Sequence, residues 1–198
     1  MENSNNAGSA ILSNAVGNIV PKKVFFTKGV GRSIRELESF ESALRDAGIS
    51  QYNLVRVSSI IPPNCEVITR EKGISLLHPG GITFLVLARI QSDEPNRLLS
   101  ASIGLALPKD VNTYGYLSEY EDYGESDEVA GEKSEDLAAT MLASTLGISF
   151  DVDQSWDEKE QVFKMSGKMV KTSNVTQSAV VGKDGHWTCA VAAAVFIL

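Results

Sequence analysis

The chain has 198 residues, 43% of them hydrophobic and 22% charged, with a formal net charge of −7. That length builds one core and argues against a second domain, and the acidic balance excludes non-specific nucleic-acid binding, which needs a basic face. Cys65 and Cys189 lie far apart and in no metal-ligand spacing, which excludes a disulfide framework and a zinc site.

Residues 1–20 are rich in Asn, Ser, Gly and Ala and are expected to form a poorly ordered arm, leaving residues 21–198 as a single domain. With no basic n-region and no apolar run long enough to cross a bilayer, the expectation is a cytoplasmic protein without a membrane partner. Residues 24–27 read as a short strand ended by a turn at Gly29-Val30-Gly31. That Gly-x-Gly lacks the third glycine and the immediate helix of a dinucleotide fingerprint, so a loop is expected. Over residues 33–47 the period becomes helical. Leu37, Phe40, Leu44 and Ala47 share a stripe, Glu41 sits at its edge, and Gly48 supplies a stop.

Residues 53–61 have strand composition, and Pro62-Pro63 ends the strand because neither proline can donate to a ladder. Ser58 and Ser59 stand at its C-terminal end. A serine pair before a forced turn is ordinary turn chemistry. The same pair supports a second chemistry. A serine hydroxyl held against the preceding carbonyl can attack it, turning the peptide bond into an ester. Elimination from that ester leaves a dehydroalanine, which hydrolyses to a pyruvoyl group and ammonia.

Further along, His78-Pro79-Gly80-Gly81 marks a tight connection. Residues 82–90 and 98–107 are near-continuous apolar strands, which implies cover on both faces and a layered fold. Residues 114–121 read as a strand, and 122–133, acidic and containing glycine, as an exposed loop. A second helix is expected over 134–146, with Ser134 as N-cap, Glu135 and Asp136 at the positive end of the dipole, and Gly147 as the stop. Two closing strands follow, 160–170 with its continuation and 187–198, joined by a hairpin turn at Lys183-Asp184-Gly185. Neither His78 nor His186 has a nearby base or further ligand to recommend it. Two helices and about seven strands make the class α+β, in one domain.

Three blocks extend this reading: Asn53 to Pro63 with its Ser-Ser-Ile-x-Pro-Pro run, Ser100-Ala101-Ser102-Ile103-Gly104-Leu105-Ala106-Leu107-Pro108-Lys109-Asp110, and Gly115-Tyr116-Leu117-Ser118-Glu119-Tyr120-Glu121. In this order and spacing they give the chain, from about Val24 onward, a sequence that resembles the pyruvoyl-dependent arginine decarboxylases. The resemblance implies an α-β-β-α sandwich, assembled as a homotrimer or a dimer of trimers, with active sites between subunits. It implies self-cleavage between Ser58 and Ser59 into chains 1–58 and 59–198, with Ser59 becoming a covalent pyruvoyl cofactor and no metal. The implied reaction is decarboxylation of L-arginine to agmatine and carbon dioxide, a step of polyamine formation. The cofactor's carbonyl would accept the electron pair left by the departing carbon dioxide, while the protein orients the substrate and delivers a proton.

The resemblance also distributes roles. Ser58 would keep its new carboxylate close to the substrate's amine, and Asn53 would donate to the oxyanion of self-cleavage or orient the substrate. Glu119 and Glu121 share a strand face, so spacing alone does not choose the proton donor. The family pattern chooses Glu119, the acid before Tyr120, with burial and the like charge of Glu121 expected to keep it protonated. Phe40-Glu41-Ser42-Ala43-Leu44 follows the family's helix before the cleavage strand. Glu41 would therefore hold the substrate's guanidinium, with Leu37 and Leu44 lining the pocket. The family has aspartate at position 41. The extra methylene would shorten the pocket toward ornithine or lysine, whereas paired bonds to a planar guanidinium favour arginine. Two other readings stay open: a pyruvoyl decarboxylase for another basic amino acid, and an unprocessed, non-catalytic paralogue that binds or assembles.

Overall fold

The computed structural model describes residues 19–148 and 167–198. One sheet has the strand order β2 (Asn53–Arg56), β5 (Ile82–Ser92), β9 (Trp187–Ile197), β1 (Lys23–Ser33), β4 (Glu66–Val67); the other has β3 (Ile60–Ile61), β7 (Gly115–Tyr123), β6 (Leu98–Pro108), β8 (Met169–Val180). Helices α1 (Glu36–Asp46) and α2 (Arg70–Ser75) cover the outer face of the first sheet, and α3 (Asp127–Thr145) covers the outer face of the second. The architecture is the expected α+β sandwich of helix, sheet, sheet and helix.

Strand periodicity explains the layers. On β5, Val86, Ala88 and Ile90 enter the space between the sheets while Leu85 and Leu87 face the helices. On β9, Ala190, Ala192, Ala194 and Phe196 face inward and Cys189, Val191, Ala193 and Val195 outward. Both faces of these strands are covered, so their sequences read as unbroken apolar runs. Each large aliphatic side chain fully buried this way contributes about 1.5–3 kcal/mol.

Several expectations are corrected. Strand β1 runs straight through Gly29-Val30-Gly31 instead of turning there. The glycines serve close packing: a Cβ at Gly29 would overlap the backbone at Ala43, and one at Gly31 the backbone at Ser39. Helix α1 therefore meets the sheet through Ser39, Ala43 and, just past its end, Ala47, and Leu37 is 74% exposed rather than on the packed stripe. The helix does end as expected, at Gly48 with φ of 77°.

The acidic stretch expected as a loop is largely the first turns of α3. Ser126 accepts a hydrogen bond from the Val129 amide as N-cap, and Asp127 and Glu128 sit where the helix dipole favours them. Ser134, expected as the cap, is buried in mid-helix, with its hydroxyl 2.7 Å from that of Ser102.

The turn at Gly185 exists, but it joins β8 to β9 across the sandwich, and the two strands pair with different neighbours, so it is no hairpin. The expected strand over 53–61 is two pieces in different sheets, β2 and β3. The short α2 was not expected from the sequence. The expected arm over 1–20, except residues 19 and 20, and the expected strand segment over 160–166 lie outside the described residues.

Candidate active site

The Ser58-Ser59 pair occupies the step between the sheets. Upstream, β2 pairs in parallel with β5, and the last rung is the Val57 amide donating to Leu85 O at 3.0 Å. Downstream, β3 pairs antiparallel with β7, and the Leu117 amide donates to Ser59 O at 2.8 Å. The crossing residue is Ser59. Around it the Ile60 amide donates to Ser58 O at 3.0 Å, a three-residue turn. The described non-glycine residues with positive φ are Asn64 and Asn96, so Ser59 keeps a negative φ and the turn is of the inverse γ type.

The Ser59 hydroxyl donates to Glu119 Oε2 at 3.2 Å. Glu119 stands on β7, two residues beyond Leu117, so the ladder that holds the Ser59 carbonyl also sets this carboxylate. Its other oxygen receives Arg56 Nη2 at 3.3 Å, and the same nitrogen donates to Leu87 O at 2.7 Å. With side-chain exposures of 59% and 27%, the Arg56–Glu119 ion pair adds at most about 1 kcal/mol of stability. Its effect is orientation: a guanidinium anchored to a β5 carbonyl fixes which way the carboxylate points.

Glu121 lies elsewhere. Its Oε1 accepts the Arg89 amide at 3.0 Å, and Tyr123, two residues on, donates its hydroxyl to Gln91 O at 3.0 Å. Because β2 ends at Arg56, the rest of that edge of β5 has no strand beside it among the described residues, and side chains of β7 take over its backbone groups. The charged neighbour of Glu119 is thus the cation Arg56, not the like charge of Glu121.

The remaining candidates are apart from Ser59 within the chain. Asn53 opens β2, with its side-chain amide donating to Gly80 O at 2.6 Å. Four strand residues, about 13 Å, separate it from Val57. Helix α1 lies over β1 and β9, two to three strand spacings from the edge strand β2, about 10–14 Å, and on the outer face of the sheet. There Glu41 is half-exposed and accepts Arg45 Nη2 at 2.7 Å, Leu44 is half-buried against the core, and Leu37 projects outward. The structure joins Ser58, Ser59 and Glu119, and leaves Asn53, Glu41, Leu37 and Leu44 away from them.

Arg56 was missed in the sequence. The available signal was a lone cation inside the apolar run Leu54-Val55-Arg56-Val57, a place where strands seldom spend a charge without a partner. A cavity of about 330 Å³ adjoins the crossing, lined by apolar side chains including Val57, Ile60, Phe84, Phe196 and Leu198, with Ser58 on its wall. Chemically, the arrangement offers a hydroxyl beside a carboxylate, a carbonyl holding a backbone donor, and an apolar wall.

The sequence model for pyruvoyl-dependent arginine decarboxylase matches residues 23–198. A probable pyruvoyl-dependent arginine decarboxylase of Chloroherpeton thalassium is 60% identical over 178 residues, 90% of this chain and 98% of the relative. One from Chlorobium limicola shows the same identity and coverage. Pyruvoyl-dependent arginine decarboxylase 2 of Methanosarcina acetivorans is 52% identical over 179 residues, again 90% of this chain and 98% of the relative.

Proposed function

Since the chain belongs to the pyruvoyl-dependent arginine decarboxylase family, we propose that it cuts itself between Ser58 and Ser59 and decarboxylates arginine to agmatine. The observation that carries the reading is the Ser59 hydroxyl on Glu119 at the step between the two sheets. The family's cofactor, a covalent pyruvoyl group, fits this position. It is small and uncharged, and it would take the place of a half-buried serine whose carbonyl is already held by the Leu117 amide. When present, that group supplies the electron sink for the pair released with carbon dioxide.

The chain's own residues supply the rest. Each end made by the cut has its own sheet: β2 holds the Ser58 end on β5, and β3 holds the residue 59 end on β7. Separation of the chains is therefore not required for the ends to stay in place. Ser58 keeps a carboxylate beside the reacting carbon, where it attracts the substrate's amine. Glu119, two β7 residues past the Leu117 amide, delivers the proton that the carbon receives. Arg56 aims it.

The substrate's far end requires a second copy. Glu41, Leu37 and Leu44 lie too far from Ser59 in one chain, yet Leu37 presents a large apolar side chain to solvent and Glu41 a carboxylate. In the proposed trimer, or dimer of trimers, α1 of one subunit covers the crossing of the next. Leu37 and Leu44 then flank the substrate's methylenes, and Glu41 takes its guanidinium. That carboxylate already accepts a guanidinium, that of Arg45, and a carboxylate has further lone pairs for a second. Asn53 would orient the main-chain end of the substrate from the β2 side. Among the described residues no helix is long and apolar enough to cross a membrane, and a cytoplasmic setting completes the proposal.

Intact mass of the purified protein tests the cut: two species, 1–58 and 59–198, the longer without a free α-amine, are expected. Release of carbon dioxide from arginine, ornithine and lysine, followed side by side, tests the substrate. A single uncut chain with no turnover would return the reading to a non-catalytic binding or assembly subunit.

A further inference from the structure

We infer that the backbone amide of Ile60 is the oxyanion donor of self-cleavage, and that the inverse γ turn at Ser59 exists to put it there. The inference rests on the self-cleavage proposed above and assigns one of its steps to a named atom.

In that step the Ser59 Oγ adds to the Ser58 carbonyl carbon. Oγ, Cβ, Cα, N and that carbon close a five-membered ring, and the carbonyl π pair moves onto the Ser58 oxygen. The C–N bond then breaks as the oxygen pair returns, leaving an ester on Ser59 Oγ. The hydroxyl proton ends on the Ser59 nitrogen, which is now a free amine. Charge therefore develops on one atom, Ser58 O. A donor aimed at that atom lowers the barrier, because the interaction strengthens as the charge forms.

Among the described residues the amide aimed at Ser58 O is that of Ile60, at 3.0 Å. The side-chain amide of Asn53, the donor expected from sequence, is bound to Gly80 O at the other end of β2. The Ile60 amide is also free of any ladder duty. Ile60 stands opposite Tyr116 in the β3–β7 pairing, but its N–H turns back to Ser58 rather than across to β7. The residues around it hold the turn. The Val57 amide bonds to Leu85 O before the turn, the Leu117 amide bonds to Ser59 O within it, and Glu119 takes the hydroxyl. An inverse γ turn is a common way to end a strand and makes one bent hydrogen bond; here that bond falls on the Ser58 carbonyl. Its distinctive product is a polarised carbonyl next to a serine hydroxyl.

The test replaces Ile60, in the full chain, by its α-hydroxy acid, so that an ester oxygen stands where the N–H was and the side chain is kept. The readout is the rate at which freshly made chain splits into 1–58 and 59–198. Loss of one oxyanion donor slows such a step by about 100- to 1,000-fold. The same replacement at Leu117, which removes the bond to Ser59 O but none to Ser58 O, serves as control and should slow cleavage far less. Hydroxylamine, which cleaves the ester intermediate, should hasten splitting of the native chain between 58 and 59. It also cuts the Ile60 variant at that variant's own backbone ester between 59 and 60, so the fragments are distinguished by mass. The cut between 58 and 59 should not be hastened in the variant, which is blocked before the ester intermediate.

Cleavage of the Ile60 variant at the native rate, or an equal loss at Leu117, would overturn the inference. Should the ester chain not fold, amide hydrogen exchange on the uncut Ser59→Ala chain decides instead. Ile60 is expected to be protected, and exchange as fast as a free amide would overturn the inference. A native chain that never splits refutes self-cleavage itself, an outcome separate from all of these.

Discussion

Glu119 and Glu121 sit two residues apart on one face of β7, yet they meet different surroundings. Glu121 faces the part of the β5 edge beyond β2, which pairs with no strand among the described residues, and its carboxylate is taken by the Arg89 amide, while Tyr123 covers Gln91 O. Glu119 faces the point where the chain leaves that sheet, and its carboxylate meets a hydroxyl and a guanidinium. The difference comes from where β2 stops. A carboxylate beside an open strand edge becomes a backbone cap, and one beside a chain crossing stays available to side chains and substrate.

The sharpest way to break this comparison is at the crossing itself. Ser59→Ala removes the hydroxyl proposed as the nucleophile, so a folded, full-length chain without decarboxylase activity is expected. Splitting of that variant on a denaturing gel would place the nucleophile elsewhere. Glu119→Gln is expected next in size. Glutamine keeps an acceptor for the Ser59 hydroxyl, so cleavage should proceed, but it carries no transferable proton, and kcat should fall by about 100- to 10,000-fold. Both are read on one preparation, cleavage by mass and turnover by carbon dioxide release.

A smaller effect is expected at the contribution proposed for a second copy. Glu41→Gln removes a charge-assisted pair with the guanidinium, worth about 1.5–3 kcal/mol, or about 10- to 150-fold in kcat/KM for arginine. Ornithine and lysine should lose less, and an unchanged arginine value would take Glu41 out of the site. The smallest effect belongs to Glu121→Gln, whose amide oxygen still accepts the Arg89 N–H. Turnover should stay within about threefold, and stability should fall by no more than about 1 kcal/mol in a thermal melt. If Glu121→Gln is the variant that loses turnover while Glu119→Gln retains it, the two roles must be exchanged.

Several features were legible because their causes are local. Apolar runs covered on both faces announced the layers. The double proline announced the end of the Ser58-Ser59 segment, and the Gly48 stop lies two residues past the last residue of α1. Other features were misread because their causes are distant. Gly29 and Gly31 look like a turn when only neighbours in sequence are considered, and become strand residues once the α1 backbone crosses them. Gly131 looked like loop, yet it sits in α3 where a Cβ would press on the Asn174 side chain.

The same division holds for the site. The sequence alone determined the serine pair, its position at a strand end and two acids on one face of a later strand, since each follows from residue type and a period of two. Only the tertiary structure decided that the strand breaks at Ser59 and resumes in the other sheet, that Arg56 joins the site, and that Glu119 rather than Glu121 meets Ser59. Those choices depend on which strand lies beside which and where each one ends. That information is carried by packing among residues 31 to 63 positions apart, and no local pattern contains it.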